Sequence, residues 1–293
     1  MKTAELFKQK TVFSLEVFPP KPDADESVIY ETLHQLSDIS PDFISVTYGA
    51  GGGHNSCKTI QIASDIQRRF GVQSVAHLPC IGLEKQQAVQ ILDSIVNAGI
   101  KNVLALRGDK PKELDKIGDF GHASELISFI KQRYELNIIA ACYPETHPEC
   151  TSAVDDIKWL AHKVNCGADH LITQLFLDNE YFYSFCEKAR IAGINVPIEA
   201  GIMPVTNKRQ IERMVKLCGV TLPKKFIRVL ERYEHNEEAL RDAGIAYAID
   251  QITDLIAQDV DGIHLYTMND PYIAHRIYDA VHNLISVKYE KCI

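Results

Sequence analysis

The chain has 293 residues, 46% of them hydrophobic and 24% charged, which is the composition of a folded globular protein with a sizeable core and excludes disordered or collagen-like architectures. Thirty-one Lys and Arg against 39 Asp and Glu leave a formal net charge of −8, so there is no basic footprint for nucleic acid and a small-molecule partner fits better. The opening MKTAELFKQKTVFSLEVFPPK lacks the apolar core of a signal peptide, and no run reaches the roughly 18 apolar residues of a membrane span, so neither secretion nor membrane insertion is expected and a cytoplasmic location is.

In chain order, short β-rich runs alternate with helix-period runs. Strands are predicted at 11–18, 43–48, 73–78, 102–107, 137–143, 170–177, 197–203 and 262–267. The helices that follow them are predicted at 25–38, 57–70, 84–98, 123–134, 152–165, 180–192, 207–218 and 271–286, several closed by a glycine such as Gly71, Gly99, Gly167 or Gly193. Only the seventh connection is long, with added helices near 224–233 and 237–258. No linker, repeat or low-complexity tract interrupts the alternation, which favours one continuous domain over 1–293. The expected fold class is α/β, a single (β/α)8 TIM-type barrel with extra helices between strands 7 and 8; such a barrel commonly takes about 250 residues. The eight cysteines (57, 80, 142, 150, 166, 186, 218, 292) form no CxxC pair and read as reduced thiols rather than a zinc or dithiol site.

Catalytic groups of such barrels project from the C-terminal strand ends and the loops after them. Here those ends carry Glu16, Thr47-Tyr48-Gly49, His77, Arg107-Gly108-Asp109, Tyr143 through His147, Gln174, Gly201 through Pro204 and Tyr266 through Asn269. Glu16, within an apolar run, faces either the lumen, where lost solvation would raise its pKa and suit it to proton donation, or outward in a salt bridge. Gly49 to Gly53 invites a dinucleotide-binding reading, but His54 replaces the third glycine and Arg68, Arg69 and Phe70 stand where an acidic residue belongs, so the reading is rejected in favour of a βα loop, near a ligand or a mere turn. His77, His147 and His264 lack HxH or HExxH spacing for a metal; His77 and His147 suit a ligand's carbonyls or phosphates, and His264 reads as a satisfied core residue.

The segments SLEVFPPK (14–21), FISVTYGAGG (43–52), AHLPC (76–80), VLALRGD (103–109), AACYPETHPE (140–149), ITQLFLD (172–178), GIMPVTN (201–207) and HLYTMN (264–269) together resemble the methylenetetrahydrofolate reductase family, in order and over nearly the whole chain. The resemblance implies a barrel that holds FAD without a Rossmann domain. It implies reduction of 5,10-methylenetetrahydrofolate to 5-methyltetrahydrofolate by a ping-pong use of one pocket, with NADH or NADPH as donor and a homo-oligomeric assembly. It gives Glu16 the role of general acid and Asp109 that of a carboxylate beside flavin and folate, with Gln174, Gln210 and Thr47 contacting substrate. Tyr48, Ala50, His77, Arg107, Gly108, Asp109, Ala123, Tyr143, His147, Asp156 and Lys163 fall on its cofactor positions, and no metal is implied. Four positions depart from the pattern: Trp159 and His162 replace Asn and Arg near the FAD phosphates, Asp270 replaces an Arg, and Met214 replaces an aromatic. The departures keep open a flavoprotein subunit fed by another redox protein. Rim His and acidic residues alone would suggest a metal-dependent barrel hydrolase.

Overall fold

The computed structural model describes residues 1–21, 24–48, 55–108 and 118–287. The glycine loop at 49–53, with Ala50, and Asp109 lie outside them.

Eight strands close a parallel barrel in sequence order. They are β1 (Val12–Val17), β2 (Phe43–Val46), β3 (Gln73–Pro79), β4 (Asn102–Leu106), β5 (Asn137–Cys142), β6 (His170–Thr173), β7 (Ile198–Ile202) and β8 (Gly262–Tyr266). β1 pairs with both β2 and β8, so Glu16 sits beside Ser45 on one side and Tyr266 on the other. Each strand is covered on both faces, which is why the runs are apolar throughout rather than alternating. One set of alternate residues, such as Leu15, Ile44, Ala76 and Ile263, packs outward in the core shared with Leu33, Ile66, Leu92, Ile127 and Ile277 of the surrounding helices. The other set, Val12, Phe43, Val75, Leu104, Ile139 and Ile172, fills the lumen.

The helices are α1 (Ser27–Ser37), α2 (Asn55–Phe70), α3 (Lys85–Asn97), α4 (Ala123–Lys131), α5 (Ala153–Asn165), α6 (Asn179–Ile191), α7 (Lys208–Cys218), α8 (Lys224–Tyr233), α9 (Glu237–Ala257) and α10 (Pro271–Ile285). The seventh connection corrects the sequence reading. α9 rather than α7 occupies the ring, with Ile245, Ala248, Ile252 and Leu255 in the strand–helix core and contacts to α6 and α10. α7 and α8 instead cover the rim, where Ile211 and Phe226 pack on Leu175, Leu177, Met203 and Val205. That packing also explains why β6 is shorter than 170–177: beyond Thr173 the chain turns its apolar residues to the rim helices. No described helix is long and apolar enough to cross a membrane.

An element the sequence did not announce seals the opposite mouth. A 3-10 turn, Thr3–Lys8, inserts Leu6 into the lumen cluster. The Asn102 side chain accepts the Thr3 N–H at 2.9 Å, and the Asn137 amide donates to Thr3 Oγ1 at 2.9 Å. With the N-terminal end plugged, the lumen communicates with the rim at the C-terminal strand ends.

Candidate active site

Glu16 resolves its two alternatives by facing the lumen. Its Oε2 lies 3.6 Å from Nε2 of both His77 and His264, and the side chain keeps 20% exposure. Burial pushes the His77 pKa down to about 4, with Glu16 opposing and His264 reinforcing that shift, so the imidazole is neutral and the contact is not an ion pair. At 3.6 Å it is also longer than a hydrogen bond. His264 is therefore not the satisfied core residue expected from its early place in the strand: Nδ1 lies 2.6 Å from Ser14 Oγ, while Nε2 is buried without a hydrogen-bond partner. Ser14 and Glu16, like His264 and Tyr266, are two apart on one strand and so share a face.

The loop after β8 clamps the end of β1. Thr267 Oγ1 donates to the Glu16 carbonyl at 2.6 Å, and the Asn269 side chain accepts from the Phe18 N–H at 3.0 Å and donates to its carbonyl at 2.8 Å. Met268 and Asn269 both take left-handed backbone, φ 53° and 57°, a strained choice for Met that the clamp maintains. Beside it the Tyr266 hydroxyl donates to the Thr173 carbonyl at 2.6 Å. Gly201 makes this possible, because a Cβ there would stand 2.8 Å from the Tyr266 Oη.

A second group gathers at the ends of β4 and β5. Arg107 makes a bidentate pair with Glu149 at 2.8 and 2.7 Å. Gly108 follows with φ +84°, and a Cβ at that position would meet Pro79 at 3.0 Å, so the tight turn needs glycine. Lys163, reaching in from α5, donates to the Ala141 carbonyl at 2.7 Å, and burial lowers its pKa against the opposing influence of Cys142 and Asp156. Asp156 accepts the His147 N–H at 3.0 Å, and the Tyr143 and His147 rings meet edge to face at 4.5 Å. Burial is the main reason the His147 pKa is lowered. Arg107, His147, Asp156 and Lys163 are close enough to perturb one another electrostatically.

The remaining expected residues are dispersed. The Thr47 N–H continues the β1–β2 pairing by donating to Val17 at 2.9 Å. Tyr48 packs on the strand–helix core, and Ala123 opens α4 as a buried residue. Gln174 follows β6, where its Oε1 accepts the Leu175 N–H at 2.9 Å. Gln210 turns back at the start of α7 to accept the Thr206 N–H at 3.4 Å, while Asn207 caps the helix. Of the departures, Asp270 is the N-cap of α10, its carboxylate accepting the Ile273 N–H at 3.2 Å. Met214 joins the rim cluster, and Trp159 stands 67% exposed on α5 beside His162.

Sequence reading missed Ser14, His170 and Glu199, which the barrel brings beneath Glu16. Ser14 Oγ lies 2.7 Å from Glu199 Oε1, and Glu199 Oε2 lies 3.7 Å from His170 Nε2. The available signal was a polar residue at an inward position of an otherwise apolar strand.

The chain matches the family model described as methylenetetrahydrofolate reductase over residues 2–282. It is 33% identical over 264 residues to the 5,10-methylenetetrahydrofolate reductase of Escherichia coli (strain K12), covering 90% of this chain and 88% of that protein. It is 36% identical over 275 residues to methylenetetrahydrofolate reductase (NADH) 1 of Arabidopsis thaliana, covering 89% of this chain and 46% of the plant protein, so it spans about half the length of that relative. Among solved structures, a Clostridium thermocellum protein that binds two copies of 5-methyl-5,6,7,8-tetrahydrofolic acid superposes with a TM-score of 0.68 at 13% identity, covering 97% of this chain and 98% of the other. A Coxiella burnetii dihydropteroate synthase in complex with pteroic acid gives 0.51 at 11% identity, covering 94% and 93%. Those two likenesses speak for the barrel fold; the family match and the sequence identities, both running nearly end to end, show that the chain belongs to the methylenetetrahydrofolate reductase family.

Proposed function

We propose that the chain is an FAD-dependent enzyme that reduces 5,10-methylenetetrahydrofolate to 5-methyltetrahydrofolate with NADH or NADPH, the two substrates using one pocket in turn. The observation that carries this reading is a carboxyl group set between two buried imidazoles on the same barrel rim as a cluster of cations. Family membership supplies the substrate class, and a relative named for NADH supports a nicotinamide donor. The unit that works is the barrel as a whole, as a cytoplasmic homo-oligomer.

The residues at the ends of β4 and β5 fit a flavin dinucleotide. Lys163 is a part-buried ammonium whose hydrogen bond here goes to a neutral carbonyl, and Arg107 holds a carboxylate that a diphosphate can replace. Gly108 lets backbone approach a ligand closely, and the Tyr143–His147 pair offers ring edges. Arg107, Gly108, Tyr143, His147, Asp156 and Lys163 would hold the group, with Tyr48, Ala50, His77 and Ala123 around it. FAD, when bound, supplies hydride transfer.

The hard step for the folate is opening its five-membered ring, which needs a proton at the departing nitrogen and tolerance of positive charge on the one-carbon unit. Glu16 delivers that proton. The rings of His77 and His264 stand 3.6 Å from its Oε2, and that of His77, held neutral by burial, makes no ion pair with it. Asp109 offsets the developing positive charge, so that one carboxyl supplies the proton and the other the charge. Gln174 presents an amide that donates and accepts in either half-reaction, with Thr47 and Gln210 lining the substrate side.

Purified protein is expected to be yellow, with a flavin spectrum that bleaches anaerobically on adding NADH or NADPH. Bleaching by dithionite but by neither nicotinamide would favour the second reading, a subunit fed by another redox protein. That reading draws on Trp159, 67% exposed on the helix that carries Asp156 and Lys163. A colourless protein that retains stoichiometric zinc would overturn both.

A further inference from the structure

Below Glu16 the lumen holds a second carboxyl group that the proposed reaction does not use. Glu199, the second residue of β7, is fully buried. It lies in a lumen whose apolar lining, Val12, Phe43, Val75, Leu104 and Ile139, is broken here by Ser14, His170 and His264. Its place is built: a Cβ on Gly262 of the neighbouring strand would stand 2.7 Å from the Glu199 Cγ. A polar group survives in such surroundings when its hydrogen bonds are made.

The bonds form a chain. Glu199 Oε1 lies 2.7 Å from Ser14 Oγ, Ser14 Oγ lies 2.6 Å from His264 Nδ1, and His264 Nε2 faces Glu16 Oε2 at 3.6 Å. The hydroxyl has one hydrogen, so the chain runs one way or the other. With Glu199 ionised, Ser14 donates to it, His264 carries its hydrogen on Nδ1, and a bare Nε2 lone pair faces Glu16. With Glu199 protonated, the hydrogen belongs on Oε1, which has Ser14 Oγ within 2.7 Å, rather than on Oε2, which lies 3.7 Å from His170 Nε2 and has no hydrogen-bond partner; Glu199 then donates to Ser14, Ser14 donates to Nδ1, and Nε2–H faces Glu16. Burial decides, raising the Glu199 pKa well above the usual carboxylate range; Asp42 and Asp261 add to that and only Ser14 opposes it. The remaining neighbour, His170, is held neutral with its pKa pushed down to about 3 by burial and by His264, so it provides no cation to hold a carboxylate.

We propose that Glu199 is a positioning residue for the acid end of the site: by donating through Ser14 to His264 Nδ1, it fixes the imidazole with its hydrogen on Nε2, facing the Glu16 carboxyl. The inference rests on the reading of Glu16 as the acid and deepens it. Once Glu16 has given its proton to the folate, the carboxylate left behind meets an N–H rather than a lone pair. Glu199 itself keeps its proton throughout, so nothing has to be resupplied from the sealed end of the barrel.

Nitrogen-15 NMR of the histidine side chains at neutral pH tests the orientation directly. His264 is expected with hydrogen on Nε2 and a bare Nδ1 in the wild type and in Glu199→Gln, whose amide N–H also donates to Ser14, and without that bias in Glu199→Leu. In the infrared, the wild type should show the carbonyl stretch of a buried protonated acid that Glu199→Gln removes. Glu199→Leu should slow flavin reoxidation by methylenetetrahydrofolate about tenfold, the scale of one lost buried hydrogen bond, leave reduction by the nicotinamide unchanged, and be rescued to within about threefold by Glu199→Gln. Hydrogen on His264 Nδ1 in the wild type, absence of the acid carbonyl band, or a Gln variant as slow as the Leu variant would overturn the inference. If wild-type flavin is not reoxidised by the folate at all, the reductase reading falls, while the NMR and infrared spectra still decide whether Glu199 orients His264.

Discussion

The two halves of the rim solve opposite electrostatic problems. Around the Glu16 carboxyl no cation is paired: His77 is kept neutral by burial, and both imidazoles stand 3.6 Å from Oε2, beyond hydrogen-bond length. Around Arg107 and Lys163 it gathers charge, with partners such as Glu149 that sit at the surface and can be exchanged. A proton donor must hold its proton at one fixed atom, which a largely buried setting without a paired cation favours. An anion site must be able to trade one partner for another, which a partly solvated cation favours. Under the proposed function, proton chemistry and anion binding fall on separate arcs of one barrel, so substitutions in the two arcs should fail in different ways.

The largest effect is expected at Glu16. Glu16→Gln should retain flavin and its reduction by the nicotinamide while folate reduction falls by ~10²–10⁴-fold, the range for removing a general acid. Equal loss in both half-reactions, seen by stopped-flow absorbance, would dissolve the distinction between the arcs. His77 sharpens the same point through stability. Its folded pKa of about 4 lies below the unfolded value of 6.5, so the unfolded chain takes up the proton first; this contribution is full above pH 6.5 and is lost as pH falls toward 4. The loss amounts to roughly 3 kcal/mol, and urea unfolding at pH 7 and pH 4 should show a smaller pH dependence in His77→Gln than in the wild type.

On the other arc, Lys163→Met should weaken flavin binding about 10- to 100-fold, since a hydrogen bond from a charged donor contributes about 1.5–3 kcal/mol. Glu16 chemistry should survive once flavin is saturating, and a folate half-reaction that stays slow at saturation would show that the arcs are coupled. The smallest effect belongs to Asp270. Because its carboxylate caps α10, Asp270→Arg removes a cap worth about 1 kcal/mol and confuses two effects. Asp270→Asn keeps the cap while removing the charge. If the negatively charged tail of the folate passes this position, Asn should tighten folate binding by less than about 1 kcal/mol, and the gain should shrink with salt. Arg276, exposed on the same helix and donating to the Tyr272 hydroxyl at 2.7 Å, is the alternative tail contact. No change in Asp270→Asn together with a loss in Arg276→Ala would move the tail there.

All eight strands and the added helices between the seventh and eighth were legible, because buried parallel strands leave apolar runs and glycine marks helix ends. Which helix of the long connection joins the ring was not: α7 has much the stronger amphipathic pattern, and only the packing on α6 and α10 shows that α9 takes the place. The 3-10 plug was invisible since its anchors, Asn102 and Asn137, lie far along the chain. At the rim, the strand-end residues Glu16, His77, Arg107 and Gln174 could be placed because the barrel fixes where strand ends go. Ser14, Glu199 and His170 escaped because they lie deeper in their strands, where a polar residue reads as noise until its partner from another strand is known. Asp270 had a local explanation, capping, that a charge comparison alone obscured.

Under the proposed function, one barrel rim runs both half-reactions on a bound flavin. Anaerobic titration of the wild-type protein tests it most directly: NADH or NADPH is added until the flavin bleaches, the nicotinamide is removed, and methylenetetrahydrofolate follows. The colour should return with one 5-methyltetrahydrofolate formed per flavin. Flavin that bleaches with the nicotinamide yet stays bleached in the presence of the folate would contradict it.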